Sequence, residues 1–501
     1  SGGDGVMVTK RAFGPHTQKN MTDPAFSPDG KYLYYTDDVT PGRIWQYGKN
    51  STTELFNIMR HDLESGESIS YIGGAGGAIV ATPSPDGEYM AYLKREDTKT
   101  VLYLKNLKSG IDRRLSTEME RDHQETFGSE GNFAYFDWTP DGQHIIYWTA
   151  GKFHKLHVES LDVTVIPMHV KTEKQVQQAV RFPVDVAPEA FDVKMIRWAS
   201  MSPTGDSVVY QALGKLYRRD VKSGRVKRLT RQNDHDEFYP SFSRDGKSVV
   251  YSTWSDTDLG AVKVVSINGG KGATITTEPG IYVEPKFSPT KDKLVFRRVT
   301  GGYLLSPEWS MEPGIYIANI KTKEMEKILE RGFNAHFGAD EDRLYYTSYV
   351  PDSKYTELEL SSVNLDGEDE RQLLKGDKVT EFQLSPDGKW VAYTHQNNAF
   401  VAPVLHTGTQ QDLGAETGGL PVAQVSARAG EYLSWSADSS RLSWSHAATV
   451  FERELNEAFS FLDGSPEELP EPVTEGIDLG FSQIADKPDS IIALVGGQIV
   501  T

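Results

Sequence analysis

The chain has 501 residues, 53 basic against 71 acidic side chains for a net charge of −18, and no cysteine. Zero cysteine excludes disulfides, thiol nucleophiles and cysteine-held metals, and the acidic surplus argues against general binding of nucleic acid or anionic lipid. With 38% hydrophobic residues and no apolar run near the roughly 20 residues a bilayer crossing needs, the chain reads as globular, without a membrane span, and long enough for two or more domains.

The opening stretch SGGDGVMVTKRA is no signal peptide and reads as the turn and last strand of a blade begun upstream. A phrase then recurs along the chain: an aromatic or apolar residue, Ser-Pro-Asp-Gly, one or two polar residues, and an alternating apolar-aromatic strand. It stands at Phe26 (FSPDG, then KYLYYT), Pro83, Trp138, Met201, Phe242, Phe287, Phe337, Leu384 and Trp435. Counted at the serine position, where Thr139 and Gly338 stand in, the spacings are 57, 55, 63, 41, 45, 50, 47 and 51 residues. Proline presets φ for a turn, Asp-Gly supplies positive φ, and the flanking alternation is that of half-buried strands, so each phrase predicts a hairpin. A second hairpin follows in most units, as in VLYLKNLKSGIDRRLS from Val101, LYRRDVKSGRVKRLT from Leu216 and AVKVVSINGGKGATIT from Ala261. Four strands in roughly 40 to 50 residues make one propeller blade.

Nine starts exceed the four to eight blades of a single ring. The expectation is an all-β chain of two β-propellers with four-stranded blades. Residues 1–166 form a partial first ring and 167–192 a connection with one short helix in KTEKQVQQAV; 193–460 form a six-bladed second ring. A Pro- and acid-rich linker over 461–489 follows, and 490–501, IIALVGGQIVT with the residue before it, begins a further β domain. Both ends of the chain read as cut.

Catalytic motifs are sparse. The chain holds no His-x-His, no HExxH and no Gly-x-Ser-x-Gly turn, so neither a local metal motif nor a serine nucleophile is predicted within it, and no catalytic residue is assigned. His154 and His157, three apart on a strand, point to opposite faces. Gly73–Gly77 reads as a loop between blades, because strand and turn follow it where a phosphate cradle needs a helix. The repeated serines read as turn residues, and the dense aromatics, such as Tyr32, Tyr34 and Trp390, as packing between blades. Acidic and aromatic residues stand just before several blade starts: Asp23, Glu237, Tyr239, Tyr282, Glu284 and Glu381. The first strand of a blade lines the central channel, so these six are the candidates for a polar, anionic channel mouth. The competing reading, which the chemistry favours, is capping of a neighbouring blade's backbone.

The repeat resembles the TolB-like, WD-like propeller family over about 20–455. A broader resemblance rests on TKRAFGPHTQKNMTDPAFSPDG, QAVRFPVDVAPEAF, EPGIYVEPKFSP and ADKPDSIIALVGGQIVT, which look like the propeller part of large exported bacterial amidohydrolases. That resemblance implies further blades upstream of Ser1, and it makes IIALVGGQIVT the first strand of a small β-sandwich flanking a catalytic (β/α)₈ barrel. It also implies a divalent metal, zinc by expectation, held by histidines and an aspartate of that barrel and not by this chain. The function so implied is the non-catalytic, substrate-admitting part of a periplasmic or secreted metal-dependent amidohydrolase acting on C–N bonds of small peptides or amides. Its partners would be its own barrel and the upstream blades. The alternative is a free-standing periplasmic TolB-like propeller that binds a protein or peptide. A peptidase of the prolyl oligopeptidase or tricorn type would need a downstream domain whose start the tail does not resemble.

Overall fold

In the computed structural model, residues 7–9, 19–40, 54–96, 99–117, 119, 136–301, 311–351 and 356–497 are described. Among them there is no α-helix, only a single 3₁₀ turn at Leu455–Glu457. The strands assemble into nine sheets of four or five strands and one two-stranded ribbon, so each predicted phrase starts one blade. The chain divides into two compact units, one reaching to Val180 and the other beginning at Arg181.

The turn phrase does the same job in almost every blade. In the penultimate blade, Ser385 Oγ donates to the Asp387 carboxylate at 2.6 Å and accepts the Trp390 N–H at 3.0 Å, while the Gly388 N–H closes on the Ser385 carbonyl at 2.9 Å. Ser27, Ser84, Ser243 and Ser436 make the same bond to Asp29, Asp86, Asp245 and Asp438, and Thr139 makes it to Asp141. Gly338 breaks the pattern because a Cβ there would stand 2.5 Å from the Tyr345 ring, which fills the serine's place. These hydroxyls are therefore committed to turns.

Hydrogen bonds from serine or threonine, the largest influence on each, hold Asp29, Asp86, Asp141, Asp206, Asp245 and Asp438 below the ordinary carboxylate range, Asp438 at about 2. A depressed carboxylate adds stability above its unfolded value and loses it as pH falls through its folded value. Both units are thus expected to lose stability together as pH drops from about 4 to about 2. Urea midpoints measured across that interval check this, and a flat profile would contradict it.

The first unit contains three successive blades, whose first strands are Met21–Phe26, Ile79–Pro83 and Asp137–Trp138. Its core joins Leu55, Ile79, Leu93, Leu102 and Ile145. The glycines 73–77 lie in the connection before the second of these blades, where a Cβ on Gly76 would stand 2.0 Å from the Arg95 carbonyl oxygen. Close backbone approach accounts for that glycine.

The second unit is a closed ring of six blades, with first strands Arg197–Met201, Asp236–Phe242, Ile281–Phe287, Phe333–Phe337, Val379–Leu384 and Glu431–Trp435. The last of these strands packs on the first, and the Ala437 N–H donates to the Pro203 carbonyl at 3.3 Å across that seam. Fully buried Tyr210, Tyr251, Phe296, Tyr346, Tyr393 and Trp444 recur on the second strands, one per blade, and fill the space between sheets.

Two boundaries differ from expectation. The stretch 461–489 is not wholly a linker: Ile477–Asp478 is the outermost strand of the last blade, and Phe481–Ile484 pairs antiparallel with Ala190–Val193. This ribbon clasps the ring, with Leu479 buried and its carbonyl accepting the Tyr210 hydroxyl at 3.1 Å. No helix forms in KTEKQVQQAV; Val176 and Val180 are exposed, and a segment of this length with no packed face is a marginal helix in water. Of the tail, 490–497 carry no strand and 498–501 lie outside the described residues, as does most of SGGDGVMVTKRA.

Candidate functional site: the channel of the closed ring

Counting back from each turn places the channel lining. The residues four before the serine position are Trp198, Tyr239, Glu284, Asn334, Glu381 and Tyr432; those two before it are Ser200, Ser241, Lys286, His336, Gln383 and Ser434. All twelve line one cavity of about 460 Å³, an outer and an inner tier contributed by all the blades. Five of the outer six, Glu381 being the exception, have φ between +48° and +58°. Each sits in a β-bulge of its first strand, which turns one extra side chain toward the axis. Left-handed backbone is costly for non-glycine residues, and here the surrounding sheets impose it.

The outer tier has an aromatic side and a charged side. The Trp198 and Tyr239 rings lie 4.2 Å apart between centroids. Burial, then Glu284, pushes the Tyr239 phenol up, so it stays neutral. Glu284 is held by a two-pronged bond from Arg297, at 3.1 and 2.6 Å, and accepts the Asn334 N–H at 2.8 Å. Its charge is thereby largely spent. Glu381 is different. The Leu433 N–H approaches it at 3.5 Å, and burial pushes its carboxyl up to about 7, against the opposing pull of Lys286.

In the inner tier, His336 is buried and fixed in one neutral tautomer. Its Nδ1–H donates to the Asn334 carbonyl at 3.0 Å, and Nε2 accepts the Leu384 N–H at 3.4 Å, leaving no position for a second proton. Burial accordingly lowers its pKa to about 4. Lys286 is half-buried, and burial lowers its pKa, against Glu381 and Glu284. At the turn end of the channel, Arg244 reaches over a blade to donate to the Gly338 and Ala339 carbonyls.

Of the six residues singled out from sequence, Tyr239, Glu284 and Glu381 meet in this channel. Asp23 holds the equivalent bulge position in the first unit, at φ +52°, beside a separate pocket there. Glu237 and Tyr282 are not at a channel mouth. Glu237 is fully buried and caps the preceding blade, accepting the Leu216 N–H and the Thr230 hydroxyl, each at 2.8 Å. Tyr282 packs edge-to-face on Phe296 and donates its hydroxyl to the Glu278 carbonyl at 2.8 Å. Sequence position puts His336 near the channel without a role; Lys286 and Arg244 were missed, although their fixed offsets from the turn serine were readable. His144 and His157 pair across a hairpin edge-to-face, with His154 stacked on Tyr147. Among the described residues, no group of three or more histidine and carboxylate side chains is placed to hold a metal ion.

No protein-family model matches the chain. Over 125 residues it is 34% identical to the Tol-Pal system protein TolB of Francisella tularensis subsp. holarctica (strain OSU18), a match covering 24% of this chain and 27% of that one. Over 235 residues it is 24% identical to the uncharacterized peptidase YuxL of Bacillus subtilis (strain 168), covering 46% of this chain and 29% of the other. The chain thus spans about a quarter of the length of the curated relatives it matches. Among solved structures, it is similar to the tricorn protease (TM-score 0.37, 12% identity, 91% of this chain and 49% of that one). It is also similar to TolB from Acinetobacter baumannii (TM-score 0.29, 13% identity, 64% and 76%). Over that matched quarter the chain is similar in sequence to TolB.

Proposed function

We propose that this chain is a ligand-admitting propeller module and that the channel of its closed ring takes up an end of a small, extended peptide. The observation that carries the reading is the convergence of one aromatic side, one charged side and an inner polar tier on a single cavity of about 460 Å³, a size fit for a small ligand and not for a folded protein. Stacking surfaces suit apolar side chains of a peptide, and the polar groups of both tiers suit its ends. Titrating short peptides into the full chain by calorimetry tests this. Trp198→Ala and Tyr432→Ala are each expected to weaken binding about tenfold. Undiminished binding in both variants would place the ligand elsewhere.

On a larger scale we propose that the module serves an exported metal-dependent amidohydrolase cleaving C–N bonds of small peptides or amides. Support comes from the four stretches quoted above, with the metal and the catalytic residues supplied by a barrel outside this chain. A second reading, a TolB-like propeller that docks a protein partner, is favoured by the 34% identity to TolB. Mass mapping of the natural protein beyond Thr501 separates them: a continuation rich in metal-ligating histidines fits the first, and a chain ending there the second.

A further inference from the structure

We propose that the inner tier of this channel is a carboxylate site, with the Lys286 ammonium as its cation and the Glu381 carboxyl as the group that competes for it. This rests on the reading of the channel as a ligand site and names the chemistry of that ligand's leading end.

The inner tier contains no acid. Its members are three serine hydroxyls (Ser200, Ser241, Ser434), the Gln383 amide, a neutral imidazole and Lys286. His336 cannot supply positive charge, since both ring nitrogens are engaged in its neutral form. The Lys286 ammonium makes no hydrogen bond and no ion pair within 4 Å among the described residues; only the longer-range pull of Glu381 and Glu284 acts on it. Glu284 is already bound on both oxygens by Arg297. A half-buried ammonium so placed is under-compensated, and an incoming carboxylate would restore its balance with hydroxyl and amide donors alongside. Arg244 lies at the turn end, but Glu341 and Asp340 beside it already offset its charge, so the cation of the site is Lys286.

Glu381 makes the site respond to pH. Facing it are Lys286 from the third blade and Glu431, Tyr432 and the Leu433 N–H from the sixth; Lys286 in turn faces Glu284 and the neutral His336. Burial holds Glu381 at about 7. Above that value its carboxylate competes with a ligand for Lys286; below it the protonated acid does not. Affinity for a carboxylate ligand should therefore rise as pH falls from 8 to 6, with a proton taken up on binding.

The test is calorimetry on the full chain with Ala-Phe-Ala as free acid, the same peptide as C-terminal amide, acetate and galacturonate. At pH 6 the free acid is expected to bind at least tenfold more tightly than the amide, with that ratio shrinking at pH 8. Glu381→Gln should keep the ratio and remove its pH dependence. Lys286→Met should abolish it, and Lys286→Arg should retain it, which guards against a folding defect. Equal binding of acid and amide in the parent chain would overturn the carboxylate site and leave the peptide channel standing. Lys286-dependent binding of acetate or galacturonate without either peptide would keep the carboxylate site and overturn the peptide reading. No binding of any probe would overturn both.

Discussion

Leu479→Ala is expected to cost the closed ring about 3 kcal/mol, in the range of buried leucine truncations that leave a cavity. Leu479 is fully buried among Val193, Ile196, Tyr210 and Val450, at the place where the last blade meets the first. Its backbone holds the seam as well: the N–H donates to the Ala448 carbonyl at 2.7 Å, and the carbonyl accepts the Tyr210 hydroxyl. Alanine keeps those backbone bonds, so the substitution reads side-chain packing alone. Urea unfolding followed by circular dichroism should show the transition of the second unit moving to lower denaturant and that of the first unit unmoved. A shift equivalent to less than about 0.5 kcal/mol, the size of an ordinary surface change, would mean that the clasp contributes nothing to closure.

Glu237→Ala should be of similar size, about 3 kcal/mol, for a different reason. Its carboxylate has no solvent exposure and gathers the Leu216 N–H, the Thr230 hydroxyl and the Gln232 side-chain amide, tying the first blade of the ring to the second. Hydrogen bonds to a charged group contribute about 1.5–3 kcal/mol each, and removing the acceptor strands buried donors. Glu237→Gln keeps the shape but turns an N–H₂ toward groups that are themselves donors, and should recover only part of the loss. If alanine and glutamine variants both unfold at the parent's urea midpoint, the carboxylate does not cement this junction.

These two residues show how far the sequence could be read. The blade count was legible because the signal is local: proline, Asp-Gly and the bonded serine define each turn without reference to the rest of the fold. The channel lining was half legible. Simple alternation would put residues two, four and six before the turn on one face, Glu237 with Tyr239 and Tyr282 with Glu284. The bulge between Phe238 and Ser241, and its counterpart between Val283 and Lys286, breaks that alternation and sends the sixth residue back into the blade interface. A bulge in a non-glycine residue leaves no mark in the composition. His336 could be placed near the channel from its position before the turn but given no role, and Lys286 could not be singled out, because the meaning of both depends on which neighbours are already bonded. The clasp escaped because Ile477–Asp478 and Phe481–Ile484 are short and follow a proline-rich stretch, so only their tertiary partners make them strands.

The two-stranded clasp also fixes how the ring would yield under load. Glu189 and Ala485, where the chain enters and leaves, meet at the same end of the ribbon, joined by a bond of 3.0 Å from the Ala485 N–H to the Glu189 carbonyl. Tension applied through the flanking chain therefore peels the ribbon open one hydrogen bond after another instead of shearing all of them at once. Under a mechanical pull this seam is the weak point, and the ring would open there into a chain of blades while the sheets between remained folded.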